Sequence, residues 1–367
     1  MSESGSIRSV LYEAQRRQGG TFDDFDGWTW TLDLGDTLGE YEAMRSGSAM
    51  WDVYALAKWE VTGPDARSAI QRLFTNDLSA QAVGQVKYGA FVDDSGAMVD
   101  DGTVYRLPDD RYFVFTNRHH LDAELALRVP DASVRAVDRT HEMPLVSVQG
   151  PRSRETLQTL TTTDLGELGY FRFSPRRVHV AGVPVWLSRT GFSGELGFEL
   201  IPAREDAETL WSALAAAGVR PIGFNAVEIA RIEAGLVVHD FDYAVGERTP
   251  FDIGLDRVVA LSSAADFVGK EALSAIAAHP PNRFRTLRID GATAPEYGSD
   301  VFCDGAVVGT VTSPTISPRY GTIGLAVLRT DVAERGTEVT ATVGDEQVRA
   351  VVEPLSIHDP DKRRPRA

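Results

Sequence analysis

Apolar positions along this chain recur with two different periods. At helical spacing, Pro64-Asp65-Ala66 opens a segment whose Ala66, Ile70, Leu73 and Phe74 fall on one face. Proline in the first turn and an acidic residue beside the positive dipole end suit a helix start there. Gly150-Pro151 opens another helix through Leu157 and Leu160, and residues 205–217 form a third, with Ala207, Leu210, Trp211 and Leu214 as its buried stripe. At strand spacing, residues 86–92 run into the turn Asp93-Asp-Ser-Gly96, and the chain returns from Ala97 to Leu107. Pro108-Asp109-Asp110 turns it again into residues 111–116, which predicts an antiparallel meander.

Pro280-Pro281 interrupts a helical run around residues 272–278 and marks the clearest domain boundary. Beyond it, short alternating segments punctuated by Gly298, Gly305, Gly309 and Gly336 predict a small β-barrel or sandwich. No internal repeat or low-complexity block stands out.

The length of 367 residues is enough for two or three packed lobes. Hydrophobic content of 43% and charged content of 25% match an ordinary globular chain, and no apolar run approaches the ~18 residues of a membrane span. The start, Met1-Ser-Glu-Ser-Gly-Ser, lacks the basic and apolar regions of a signal peptide, so the cytoplasm is the expected location. The one cysteine, Cys303, excludes an intramolecular disulfide and a cysteine-based metal cage. With 37 basic and 53 acidic residues the formal charge is −16, which disfavours nucleic acid and anionic membranes as partners. The basic end, Lys362-Arg-Arg-Pro-Arg366, is expected to be a solvated tail. No histidine spacing suggests a metal, and there is no P-loop, nucleotide-binding glycine turn or nucleophilic triad.

The densest signal is Ser188-Arg-Thr-Gly-Phe-Ser-Gly-Glu-Leu-Gly-Phe-Glu199, which reads strand, glycine turn, strand. Gly191, Gly194 and Gly197 allow a sharp turn and close approach to the main chain, with a carboxylate following. Glycine spacing alone fits a plain hairpin equally well. With its flanking residues, the run resembles the signature of the glycine-cleavage T-protein family, the folate-binding aminomethyltransferases and their demethylase relatives. Further segments resemble the family in the same order: Asp24-Phe-Asp-Gly-Trp28, Glu42-Ala-Met-Arg45, Met50-Trp-Asp-Val53, Thr75-Asn-Asp77, Met98-Val-Asp-Asp101, Gln149-Gly-Pro151, Ala230-Arg-Ile-Glu-Ala-Gly235 and Phe267-Val-Gly-Lys-Glu-Ala-Leu273.

The resemblance implies an α+β fold. Residues 1–279 would form two interleaved lobes around a central channel holding tetrahydrofolate, and residues 280–367 a C-terminal β-barrel. It also implies site residues. Asp100 would be the catalytic carboxylate, because consecutive strand residues face opposite ways and the first aspartate matches the family's reactive one; Asp101 would be its structural partner. Glu199 would accept two parallel hydrogen bonds from a pterin N–H pair. Tyr88, Phe192 and Asn117 would line the channel. Arg231 and Glu233, two apart on a helix, are expected mainly as framework, with Arg231 as a possible ligand contact. Tyr54 stands where the family has a serine and is a candidate acid.

Departures bear on the substrate. Ala226-Val227-Glu228 replaces the Ala-Arg-Asp of glycine-cleavage enzymes, so a fixed cation is lost. Asp256-Arg257 replaces a small residue and a tryptophan. The Ala-x-Glu form resembles demethylating relatives; the oxidising ones carry an upstream flavin domain, for which a first motif at Asp24 leaves no room. The expected activity is therefore tetrahydrofolate-dependent transfer of a methyl or aminomethyl group from a small N-, O- or S-linked donor. The alternatives are authentic glycine cleavage, with a carrier protein as partner, a non-catalytic folate-binding protein, or a scaffold recruited for a folate-free reaction. The segment Gly235 to Tyr243 lacks the cysteine of the non-catalytic relatives.

Overall fold

The computed structural model describes residues 5–367. The predicted meander forms, and two further strands complete it. Val86–Val92, Met98–Arg106, Tyr112–Thr116, Ala57–Thr62 and Arg135–Asp138 pair in that order as an antiparallel sheet. Helices Ala66–Leu73 and Leu121–Arg128 cover one of its faces, burying Ile70, Leu73 and Leu125 against Phe91, Val104 and Val114.

A second sheet has the order Val178–Val180, Val183–Ser188, Gly197–Pro202, Val146–Gln149, Ala49–Asp52, Arg220–Pro221. Helix Ala207–Ala216 packs on it through Ala207, Leu210, Trp211 and Leu214, the stripe read from the sequence. The two sheets are interleaved: Ala49–Asp52 is laid into the second before the first is built, and Val146–Gln149 returns to pair with it, Met50 opposite Val148. On another side of this lobe, helices Thr37–Ser46 and Phe224–Ala234 bury Tyr41, Met44 and Ala230.

The third unit is a closed six-stranded barrel of Asn282–Ile289, Gly321–Arg329, Ala306–Ser317, Asp300–Cys303, Glu338–Val343 and Glu346–Glu353. The expected α+β architecture with a C-terminal barrel is the observed one. Among the described residues, no helix is long and apolar enough to cross a membrane.

Candidate functional site

The densest sequence signal folds as read, with Ser188 opposite Glu199 across the hairpin. Its glycines serve two purposes. Gly194 turns at φ +77°, whereas a Cβ on Gly191 or Gly197 would sit about 2.0 Å from the Gln149 side chain. The hairpin therefore closes onto Gln149, whose Nε2 donates to the Thr190 carbonyl at 3.0 Å. Beside it lies a cavity of about 590 Å³, walled by residues of both sheets, helix Phe224–Ala234 and the C-terminal segment.

Strand pairing decides which aspartate reaches this cavity. Asp101 lies opposite Ala90 and shares a sheet face with Tyr88 and Thr103, both cavity-lining; Asp100 lies opposite Phe91, on the helix-covered face. The expectation for Asp100 is thus corrected: alternation holds, but the parity is the reverse. Asp100 is 0% exposed and accepts hydrogen bonds from the Asp101, Asn117 and Arg118 backbone amides at 2.8, 3.2 and 3.0 Å, and from Asn117 Nδ2 at 2.8 Å. Those donors make it an anchor for the strand end.

Asp101 is the carboxylate that lines the cavity. Tyr88 donates to its Oδ2 at 2.9 Å, and Tyr243 and Asn117 donate to Oδ1. Burial, followed by the charge of Asp100, pushes its carboxyl up to about 6, against the lowering effect of the two phenols. It can therefore exchange a proton near neutral pH.

Glu199 lines the cavity from the other sheet. Thr190 donates to its Oε2, and the hydroxyls of Ser188 and Tyr105 also bear on the carboxyl. Burial raises its carboxyl, with Thr190 and the Lys58 charge pulling the other way. Such a carboxylate is built to receive a donor from a ligand. Tyr88, Asn117 and Phe192 all line the same cavity, and Tyr105 adds a buried phenol that the sequence reading missed.

Tyr54 also lines it, but its hydroxyl shares a 2.7 Å hydrogen bond with His141 Nδ1 and accepts from Arg204 at 3.4 Å. Its ring edge meets Trp28 at 5.1 Å. Lys58, an unremarked lysine in an apolar strand, is fully buried; its ammonium donates to the carbonyls of Val53, Tyr54 and Leu56 at 3.1, 2.9 and 2.8 Å. Burial lowers it to about 7.

Arg231 does not reach the cavity. It is 0% exposed, paired with Glu228, with Asp242 at 2.7 Å and with Ser313 at 2.7 Å, so its guanidinium fastens the helix to the barrel, and the expected ligand contact is corrected. Glu233 is likewise buried, held by Arg45, Tyr41 and Ser317. The basic end is not a free tail. Arg364 reaches Glu195 at 3.2 Å, Arg154 donates to the Ala367 carbonyl at 2.6 Å, and Lys362 lines the cavity. Arg257 lines it too, and neither Arg257 nor Lys362 has a carboxylate within ion-pair distance among the described residues. Burial, then the neighbouring Arg257 and Arg366, lower the Lys362 ammonium. The cavity thus carries carboxylates on one part of its wall and cations without a carboxylate partner on another.

Comparison with known proteins agrees with this architecture. Residues 11–263 match the family model described as the GCVT N-terminal domain, and residues 282–359 the glycine cleavage T-protein C-terminal barrel domain. A probable aminomethyltransferase of Natronomonas pharaonis is 33% identical over 359 residues, covering 95% of this chain and 98% of its own. The aminomethyltransferase of Saccharopolyspora erythraea is 35% identical over 350 residues, covering 93% and 95%. A trimethylamine-oxide aldolase of Ruegeria pomeroyi is 36% identical over 372 residues, covering 94% of this chain and 46% of its own. In solved structures, the glycine cleavage system aminomethyltransferase T of Bartonella henselae shares the fold, with a TM-score of 0.87 at 23% identity over 96% of this chain and 98% of its own.

Proposed function

The chain belongs to the glycine-cleavage T-protein family, and from that premise we propose that it is a tetrahydrofolate-dependent transferase moving a one-carbon unit from a small N-, O- or S-linked donor. The observation that carries the reading is the cavity of about 590 Å³ faced by Asp101 and Glu199. Its donor set suits a reduced folate. Glu199, whose two oxygens keep acceptor capacity beyond Thr190, would accept from the N–H pair of the pterin. Arg257 and Lys362 would attract the carboxylates at the ligand's other end.

Bound tetrahydrofolate supplies the nucleophilic nitrogen; the protein supplies position, field and a proton site. Asp101 holds that proton site at Oδ2, the oxygen with acceptor capacity left after Tyr88 donates to it. Tyr54 is the weaker candidate, because its hydroxyl is already engaged by His141 and Arg204. Phe192 and Val227 give an apolar wall that excludes water.

Val227 in place of the family's arginine favours a small donor over one delivered on a carrier protein, although Arg257 and Lys362 mean the cavity is not without cations. The relatives named aminomethyltransferase, matched along almost their whole length, favour the second reading, authentic glycine cleavage. Calorimetric titration with tetrahydrofolate and its 5-methyl form tests the shared premise. Saturable binding is expected, weakened by about 1.5–3 kcal/mol in Glu199→Ala as charge-assisted hydrogen bonds are lost. No binding of any reduced folate to the folded protein would remove the proposal.

A further inference from the structure

Behind the cavity wall, Tyr243 is 1% exposed and donates its phenol proton to Oδ1 of Asp101. Asn117 Nδ2 reaches the same oxygen at 3.1 Å, and Tyr88 donates to Oδ2 at 2.9 Å. Each carboxylate oxygen offers two acceptor positions. Oδ1 is therefore full, and one position remains on Oδ2.

The segment carrying Tyr243 is held in place from several sides. Its neighbour Asp242 accepts at Oδ2 from Arg231 at 2.7 Å and from the Val238 amide at 2.9 Å, and at Oδ1 from Thr312 and Ser313 at 2.6 Å each. The Asp240 amide donates to the Tyr243 carbonyl at 2.9 Å. Those bonds tie the segment to helix Phe224–Ala234 and to barrel strand Ala306–Ser317, so the phenol cannot drift from the carboxylate.

We propose that Tyr243 is a positioning residue for Asp101, fixing which carboxylate oxygen is left for the bound ligand and supporting its charged form. Tyr243 does not line the cavity, so it acts through Asp101 alone. The role of Asp101 toward a ligand rests on the folate reading; the contact between the two side chains does not. Other groups around the pair are Asp100 one residue away, Tyr88 on the neighbouring strand, His239 with its ring edge on Tyr243 at 5.2 Å, Asp240 at 3.1 Å from His239, and His120 at 3.7 Å from Asp100. None of them donates to Oδ1, so none replaces the phenol there.

The test is a carboxyl ¹³C NMR titration of the ligand-free protein labelled at aspartate, with the Asp101 signal assigned by its loss in Asp101→Asn. In Tyr243→Phe, checked as folded by thermal unfolding, the Asp101 midpoint should rise by about 1–2 pH units, because a hydrogen bond to the ionised form is gone. A midpoint unchanged in the folded variant would overturn the proposal. If Tyr243→Phe does not fold, site-specific 3-fluorotyrosine at position 243 decides. This stronger donor should lower the midpoint, and an unmoved midpoint would again overturn the assignment. A parallel titration with 5-methyltetrahydrofolate keeps the two ideas separable: failure to bind defeats the folate reading, whereas an unshifted carboxyl defeats only the role of Tyr243.

Discussion

Arg45 grips one oxygen of Glu233 with two of its nitrogens, Nε at 2.9 Å and an Nη at 2.6 Å, in a pair from which both side chains exclude solvent. Its other Nη reaches Glu195 at 3.1 Å, and Glu195 in turn meets His358 at 2.5 Å. One guanidinium thereby joins helix Thr37–Ser46, helix Phe224–Ala234, the glycine hairpin and the segment after the barrel.

Removing that guanidinium leaves two buried carboxylates short of their cation. Arg45→Met should therefore destabilise the fold by about 3–5 kcal/mol, read from urea unfolding. A loss below ~1 kcal/mol would mean that His358 and Arg364 already neutralise the cluster.

Asp101 should carry the reaction and Asp100 the strand end. With a donor identified, Asp101→Asn should lower kcat by about 10²-fold or more without loss of stability. Asp100→Asn should chiefly lower the unfolding midpoint, because three backbone amides lose a charged acceptor. The reverse pattern would show that the buried member reaches the ligand.

Stability should respond to pH in a definite direction. Burial pushes Asp52 and Asp101 each up to about 6, above the 3.8 of an exposed aspartate. Between about pH 4 and pH 6 the folded protein then holds more protons than the unfolded chain, so the contribution of these carboxyls falls as pH rises through that window. Asp101→Asn should flatten the dependence of Tm on pH there and raise stability at pH 7 by about 1–2 kcal/mol. An equally steep dependence in the variant would show that Asp101 titrates normally.

Donor class can be read by supplying alternatives side by side. With tetrahydrofolate present, a panel of N-, O- and S-methyl compounds should yield methylated folate, and an aminomethylated carrier protein should release little ammonia. Efficient methylene-folate formation from the carrier would assign the chain to glycine cleavage.

Local pattern foretold helix Ala66–Leu73 and the meander, because apolar period and turn residues act within a few positions of each other. The face on which Asp100 lies was harder, since parity depends on where helices pack; Val104, buried and in step with Asp100, was the available hint. Arg231 was opaque for a different reason. Its partners Asp242 and Ser313 lie 11 and 82 residues away, and nothing local distinguishes a buried anchor from a ligand contact. The basic end read as solvated from composition, while its docking depends on Glu195 and Arg154 far upstream.

The interleaved second sheet sets an order of events for a chain emerging from the ribosome. Strand Ala49–Asp52 must wait for Val146–Gln149 before it gains a neighbour on one edge, and for Arg220–Pro221 on the other. Until then it is an apolar edge open to other chains. The first lobe is one continuous insert, residues 57–138, whereas the second is split around it and cannot be excised in one piece, so a nascent chain stalled before residue 146 is the form most exposed to aggregation.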